Sequence, residues 1–313
     1  MMMKPLLLGA CIAALAGPAL AEWNPDGPIR LWIGYGAGGG TDVQARTLVK
    51  EIEALRGWTI LPENRAGDDG LVMSSQLKSQ APDGQTLGFA ITTTYDFAPM
   101  NNDNISPEDF TYITTTAGSQ MAVLARAESG WNTLEDLQAA AAGGEQIVWA
   151  NWGTQVEAGA ELVSRALGIE VSHLRAQGGA GTLNALVAMD ANVAWGGGVQ
   201  KPLVEAGVLN ILASAEQGPV VLDPTKPTLA EAGVGMKLGY EYIITAPAGM
   251  PDEIRDEIAL VISEILANPE SETRQFIEQQ YPPEPIVTQG DALREQIMAT
   301  YAENVDVMKA LTE

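Results

Sequence analysis

The stretch IRLWIGYGAGGGTDVQARTLVKEI, residues 29–52, decides the fold. Residues 29–33 are apolar at four of five positions and rich in β-branched and aromatic side chains, which predicts a buried strand. Residues 34–40 read GYGAGGG, and glycines allow the tight turn and close backbone approach that such a segment needs. The apolar residues that follow recur at helical spacing up to Gly57, a typical helix stop. A strand, a glycine-rich turn and a helix therefore open the fold.

The same alternation continues along the chain. Further strands are predicted at 59–61, 86–91, 146–150, 171–175, 193–195, 209–213 and 242–245, and one or two strands at 111–125. Helices are predicted at about 71–79, 134–142, 156–167, 181–189, 253–267, 271–280 and 290–310. Such alternation is typical of α/β proteins with parallel sheets. No low-complexity linker separates the two halves, so we expect two lobes joined by crossing strands: lobe I at 22–118 and 240–313, and lobe II at 119–239.

Composition excludes several classes of protein. The chain has 313 residues with 17 Lys and Arg against 40 Asp and Glu, a net charge of −23. This charge argues against nucleic acids and anionic membranes, which attract basic surfaces. One Cys and one His argue against cysteine-rich or multi-histidine metal sites. We therefore expect no metal, no cofactor and no nucleic-acid partner.

The N-terminus carries an export signal. Lys4 precedes an apolar run over 6–15, and Ala19-Leu20-Ala21 is a cleavage pattern of the A-x-A type. We expect residues 1–21 to be a signal peptide cut before Glu22, which predicts a periplasmic protein.

The glycine-rich turn is the first candidate binding site. A turn that opens a helix presents free backbone N–H groups and the positive end of the helix dipole, and both attract anions. We expect Ala37, Gly38 and Gly39 to donate backbone N–H groups, and Thr41 and Asp42 to cap the helix.

Three other turns follow predicted strands. They are Thr92–Tyr95, Gly153-Thr154-Gln155, and the glycine-rich segment from Gln177. Ligands of open α/β sheets bind at the carboxyl ends of strands, so these turns predict a cleft in which Thr93 and Thr154 offer hydroxyl groups.

The residues support an enzyme less well than a binding protein. Gly34, Gly36 and Gly39 match the G-x-G-x-x-G dinucleotide fingerprint, with Glu63 at the end of the second strand, so a dinucleotide-binding oxidoreductase stays an alternative. His173 lies within a predicted strand, where packing explains it. The carboxylates of Asp68-Asp69 lack calcium-loop spacing and are interpreted as part of a surface loop. The protein is predicted not to be an enzyme.

Five ordered segments resemble the Bug/TctC-type solute-binding proteins of tripartite tricarboxylate transporters. They are YGAGGGTD at 35–42, ENRAG at 63–67, APDGQTL at 81–87, PTLAEAG at 227–233 and APAGMP at 246–251. The resemblance implies a type II periplasmic-binding-protein, or Venus-flytrap, architecture. It also implies a monomer that captures a small organic carboxylate and delivers it to membrane transporter subunits. A ligand receptor for a signalling sensor is the alternative within the same architecture.

The resemblance and the turns together give one set of candidate ligand-binding residues. The set comprises Tyr35, Ala37, Gly38, Gly39, Thr41, Asp42, Thr92, Thr93, Gly153, Thr154, Gln155, Gln177, Trp195 and Gly196. Trp152 and Trp195 have two interpretations: they stack on an aromatic carboxylate in the cleft, or they pack in the core.

Overall fold

A computed structural model describes residues 23–234, 238–281 and 284–312. The predicted signal peptide lies outside the described residues. The strands are β1 (Ile29–Ile33), β2 (Ile60–Asn64), β3 (Thr86–Ile91), β4 (Phe110–Gly118), β5 (Ala122–Arg126), β6 (Ile147–Asn151), β7 (Val171–Arg175), β8 (Val193–Gly196), β9 (Leu209–Ser214) and β10 (Glu241–Pro247). The α-helices are α1 (Gly40–Arg56), α2 (Leu71–Leu77), α3 (Thr93–Asp96), α4 (Leu134–Ala142), α5 (Thr154–Leu167), α6 (Gly178–Val187), α7 (Lys201–Glu205), α8 (Asp252–Ala267), α9 (Glu272–Gln280) and α10 (Gly290–Thr312).

The first sheet has the strand order β2-β1-β3-β10-β4. β1 pairs in parallel with β2 and β3, whereas β10 runs antiparallel to both β3 and β4. Every residue of β3 is buried, as expected for a central strand covered on both faces. α1 ends at Gly57, whose φ of 70° is left-handed, and this confirms the stop read from the sequence.

The second sheet has the order β7-β6-β8-β5-β9. β6 pairs in parallel with β7 and β8, and β5 runs antiparallel to β8 and β9. The antiparallel strands β10 and β5 therefore hold equivalent places in the two sheets. These two sheets with their helices form the two-lobed α/β fold that the sequence predicted.

The two lobes are linked at the ends of β4 and β10. Within the described residues, the chain passes from β4 to β5 over 119–121 and returns between β9 and β10. Ser119 N–H donates to the Tyr240 carbonyl at 2.8 Å, and Tyr240 N–H donates to Ser119 Oγ at 2.9 Å. Glu216 Oε1 accepts from Met121 N–H at 2.7 Å and from Ser119 Oγ at 2.6 Å. The two crossings thus support each other, while the division at 118/119 and 239/240 stays a prediction.

The core is formed by aromatic and aliphatic side chains of both sheets. Phe89, Trp149 and Trp195 are fully buried, and burial of one such side chain contributes about 2–3 kcal/mol. In the part of the chain that is described, no helix has both the length and the apolar character that a membrane span requires.

Candidate functional site: the cleft between the lobes

The carboxyl ends of parallel strands from both sheets face one another across the cleft. β1 and β2 lead into the segments 34–39 and 65–70. In the second sheet, β6 leads into Trp152 and Gly153, β7 into Gln177 and β8 into Gly197. A Cβ built on Gly36 would lie 3.4 Å from the Gln177 carbonyl oxygen, so the two edges touch.

The start of α1 differs from the prediction. The helix begins at Gly40 with Gly39 as its N-cap, and glycine has no side chain with which to cap it. Thr41 and Asp42 therefore lie inside the first turn, and the expectation that they cap the helix is wrong. Asp42 instead accepts from Gly38 N–H at 3.0 Å and holds the loop that precedes the helix.

The amides expected to bind a ligand are also redistributed. Gly38 N–H donates to Asp42, and Gly39 N–H donates to the Gly36 carbonyl at 3.4 Å, so these two are already engaged. The first-turn amides of α1, at Gly40, Thr41 and Asp42, donate no hydrogen bond within the described residues. Of the three predicted amides, only that of Ala37 donates no hydrogen bond within the described residues, and the other unbonded N–H groups lie at residues 40–42.

A second helix start lies on the opposite side of the cleft. α6 begins at Gly178, three residues before the predicted start, because Gln177 serves as its N-cap. Its first-turn amides, at Gly178, Gly179 and Ala180, likewise donate no hydrogen bond in the described part of the chain. Two helix N-termini, one from each lobe, thus direct unbonded N–H groups at one place, which is the arrangement that binds anions.

Two adjoining cavities occupy this place. The smaller, of about 20 Å³, lies against Gly40, Thr41, Gly178 and Gly179. The larger, of about 360 Å³, lies against Asp69, Arg175 and Gln177, and Tyr35 and Trp152 line both.

A cluster of tyrosines closes the cleft towards the two crossings near Ser119 and Tyr240, which we call the hinge. Tyr242 Oη donates to Tyr281 Oη at 3.0 Å, and Tyr240 Oη donates to the Gly197 carbonyl at 3.0 Å. A Cβ on Gly40 would lie 2.6 Å from Tyr242 Oη and would overlap Tyr281 Oη. Burial raises the pKa of these three phenols above the ordinary value of 10, so they stay protonated and uncharged.

Gly197 and Gly198 are explained by the same cluster. A Cβ on Gly197 would overlap Tyr240 Oη, and a Cβ on Gly198 would overlap the ring of Tyr281. Gly198 also has a φ of 147°, a backbone conformation that other residues rarely adopt. These glycines therefore let aromatic side chains of the first lobe pack directly against the backbone of the second.

Asp69 belongs to the cleft, and its interpretation as part of a surface loop is wrong. The side chain is buried, because the segment 67–70 turns inward between β2 and α2. Its Oδ2 accepts from Thr154 N–H at 2.6 Å and from Thr154 Oγ1 at 3.0 Å. Desolvation raises the pKa of this carboxyl from its ordinary value to about 6, although the two hydrogen bonds from Thr154 act in the opposite direction.

The predicted site residues divide into four groups, of which three lie at or near a cavity. Tyr35, Gly39, Thr41, Gly153 and Gln177 line the cleft between the helix starts. Thr92, Thr93 and Gln155 line a different cavity of about 510 Å³ at the hinge. Ala37, Gly38, Asp42 and Thr154 are near the first group, but Gly38, Asp42 and Thr154 are engaged in the contacts above.

Trp195 and Gly196 lie in the core of the second lobe rather than in the cleft. Trp195 is 0 % exposed, donates from Nε1 to Asn151 Oδ1 at 2.9 Å and packs on Trp149 with ring centroids 5.0 Å apart. A Cβ on Gly196 would lie 2.5 Å from Leu124 Cδ1. Of the two tryptophans considered for the cleft, only Trp152 lines it.

Sequence reasoning missed Gly40, Asp69 and the tyrosines at 240, 242 and 281. The signal for Asp69 was available: the loop that contains it follows a parallel strand, and glycines flank the Asp pair at 67 and 70. The tyrosines carried no local signal, because they pack against glycines far away along the chain, Gly40 in the first lobe and Gly197 and Gly198 in the second.

His173 lies at the edge of the second sheet. Its Nδ1 is 2.9 Å from Asn151 Nδ2 and its Nε2 is 2.8 Å from Glu161 Oε1. Both ring nitrogens of His173 thus have partners within the second lobe and outside the cleft.

Comparisons with known proteins give a consistent family. The model of the family described as "Tripartite tricarboxylate transporter family receptor" matches residues 44–294. A protein of Cupriavidus necator described as "UPF0065 protein in gbd 5'region" is 29% identical over 252 residues, which cover 78% of this chain and 76% of that protein.

Solved structures show the same fold. The periplasmic binding protein BugD superposes with a TM-score of 0.81 at 22% identity, over 92% of this chain and 98% of that one. MatC from Rhodopseudomonas palustris, solved with bound malate, gives a TM-score of 0.78 at 22% identity, over 91% and 99% of the two chains.

Proposed function

Since the chain belongs to the receptor family of the tripartite tricarboxylate transporters, we propose that it is an extracytoplasmic solute-binding protein. It captures a small organic carboxylate between its two lobes and delivers it to the membrane subunits of such a transporter. The predicted signal peptide supports a periplasmic location, and the malate bound to MatC supports the ligand class.

The observation that carries this proposal is the pair of helix N-termini across the cleft. The unbonded amides of α1 and α6 can donate to the two oxygens of one carboxylate, one lobe to each. A carboxylate held in this way stabilises the closed arrangement, because only that arrangement brings both sets of amides within reach.

Ligand entry requires movement of the lobes. The cavity between the two helix starts holds about 20 Å³, which suits a single water-sized molecule rather than an organic acid. We propose that the lobes separate at the two crossings near Ser119 and Tyr240, and that they close again on the carboxylate. In this proposal the ligand is bound and released unchanged, so the protein does not act as an enzyme on it.

A thermal-shift screen tests the proposal. Purified protein without residues 1–21 is heated at pH 7.5 in separate experiments with acetate, butyrate, succinate, malate, adipate or benzoate. ATP and NAD⁺ serve as control ligands that carry no carboxylate. A ligand at 100 times its Kd stabilises the folded state by about 2.7 kcal/mol. Stabilisation by at least one carboxylate supports the proposal, and stabilisation by the nucleotides alone contradicts it.

Gly39→Asp tests the position of the site. Gly39 is the N-cap of α1 with φ −77° and ψ 168°, which any residue adopts. Among the described residues, a Cβ there meets only the Gly36 carbonyl oxygen, at 3.4 Å. Aspartate is a favourable N-cap, so the fold should survive while its carboxylate covers the first-turn amides. We expect carboxylate affinity to fall at least tenfold.

Gly39→Ser is the matched control, since serine caps the helix without charge. It should lose less affinity than Gly39→Asp. Equal affinity of the aspartate variant and the wild type would remove the start of α1 from the site.

A further inference from the structure

The carboxylate of Asp69 reaches from the first lobe to the second. It accepts the Thr154 N–H at 2.6 Å and the Thr154 hydroxyl at 3.0 Å, at the first residue of α5. α5 has 14 residues and follows β6, so its N-terminus opens on the same edge as that of α6. A carboxylate belonging to the protein thus occupies a helix start that points at the cleft.

The backbone around Asp69 is shaped to aim this group. Four successive residues have positive φ, namely Gly67 at 139°, Asp68 at 48°, Asp69 at 55° and Gly70 at 83°. Such angles are unfavourable for a residue other than glycine and persist only where surrounding contacts hold them. Here the Asp69 carbonyl accepts from Tyr35 Oη at 3.1 Å and from Thr94 Oγ1 at 2.8 Å, and both donors are buried.

The second lobe is shaped to receive the group. A Cβ built on Gly153 would overlap the carboxylate of Asp69, so the side chain fits only because this position is glycine. Gly153 has a φ of −173°, which does not itself require glycine. The contact with Asp69 is therefore what excludes a side chain here.

The adjoining cavity of about 360 Å³ has an acidic wall. The buried Asp69 lines one side, together with Tyr35 and Trp152, whereas the neighbouring Asp68 is exposed and solvent screens its charge. Arg175 is the one cationic residue among the described residues that line this cavity, and its guanidinium already contacts Glu157 Oε2 at 3.3 Å. A second ligand carboxylate placed here would face like charge with little compensation.

We propose that Asp69 determines specificity by taking the place of a ligand carboxylate at α5. The cleft then accepts compounds with one carboxylate whose other end carries no negative charge, and it rejects dicarboxylates. This inference rests on the proposed function, because it assigns the ligand carboxylate to the amides of α1 and α6.

The test compares each dicarboxylate with its own monomethyl ester. Succinate and adipate, and monomethyl succinate and monomethyl adipate, are titrated by calorimetry at pH 7.5 into wild type, Asp69→Asn and Asp69→Ala. Within each pair the chain length is matched and one negative charge differs. The wild type should bind at least one ester at least tenfold more tightly than the parent acid, and both Asp69 variants should reduce that ratio to below threefold.

Asp68→Asn is the matched control. Asp68 lines the same cavity but is exposed, and it is Asp69 that accepts the two hydrogen bonds from Thr154, so this variant should keep most of the wild-type ratio. Circular dichroism establishes that each variant is folded.

The outcomes separate the two proposals. Dicarboxylates that bind the wild type as tightly as their esters, or a ratio unchanged by both Asp69 variants, overturn the role of Asp69 and leave carboxylate binding intact. A ratio that falls equally in Asp68→Asn also overturns it, because general charge then explains the preference. If neither these compounds nor the carboxylates of the thermal-shift screen bind to any variant, the proposed function fails and this inference fails with it.

Discussion

Replacing Gly153 with alanine tests the contact between the lobes without changing a charge. The new Cβ would overlap the carboxylate of Asp69, so the carboxylate must leave Thr154 or α5 must shift. The backbone at Gly153 is extended, with φ −173° and ψ 177°, and alanine adopts it without strain. The variant therefore reports on the contact alone, apart from the lower N-cap preference of alanine.

The size of the effect follows from two contributions. Two hydrogen bonds to the carboxylate are lost, and each contributes about 1 kcal/mol net. Alanine is a poorer N-cap than glycine, which costs up to about 1 kcal/mol more. Gly153→Ala should thus destabilise the protein by about 3 kcal/mol, whereas in the Asp69→Ala background only the N-cap cost of about 1 kcal/mol remains.

Urea unfolding followed by circular dichroism measures the four proteins of this double-mutant cycle. We expect a coupling of about 2 kcal/mol between positions 69 and 153. Equal losses from Gly153→Ala in both backgrounds would refute the reasoning, since Asp69 would then not pack against Gly153 in solution.

Three further predictions follow from the same structure. The pKa of Asp69 is raised to about 6 in the folded protein, so the folded state binds its proton more tightly than the unfolded chain does. The stability of the folded protein therefore falls as the pH rises from about 4 to about 6, and it levels off above pH 6. Measured by urea unfolding, the wild type should lose roughly 1–2 kcal/mol relative to Asp69→Asn between pH 5 and 7.5. Parallel pH profiles of the two proteins would contradict this. Gly198→Ala should destabilise the protein by about 3 kcal/mol or more, because its Cβ overlaps the buried Tyr281 ring. Gly218→Ala, whose Cβ meets no described residue within 4 Å, should change stability by no more than about 0.5 kcal/mol, and similar melting temperatures for the two variants would refute this packing. With a net charge of −23, the protein repels anions at long range. The association rate of a carboxylate, measured by stopped flow, should therefore increase as the salt concentration is raised to about 0.15 M. A decrease in this rate would contradict the prediction, because it would indicate a local basic field that attracts the ligand.

The sequence predicted the elements whose signals are local. The apolar run at 29–33, the glycine-rich turn and the periodic helix after it read correctly, because each depends on neighbouring residues. Helix starts were predicted less accurately, since α5 and α6 begin at Thr154 and Gly178, two and three residues before their predicted starts. Glycine-rich first turns carry no apolar periodicity that would mark them.

Contacts between distant segments could not be read from the sequence. The loop of Asp69 follows β2 at the edge of the sheet where ligands bind, but the burial of Asp69 depends on the approach of α5 from the other lobe, which no local pattern predicts. Trp195 is the reverse case: its place beside the predicted cleft suggested a ligand contact, yet Trp149 and Asn151 hold it in the core. In both cases the deciding partner lies more than 40 residues away along the chain.

A crystal structure of the protein with the carboxylate that stabilises it most tests the central claim directly. The account predicts one ligand per chain between the lobes, with its carboxylate oxygens within hydrogen-bond distance of first-turn amides of both α1 and α6, at Gly40–Asp42 and Gly178–Ala180. A carboxylate bound in the hinge cavity near Thr93 and Gln155, or held by one lobe alone with the other in the same position as without ligand, would contradict it.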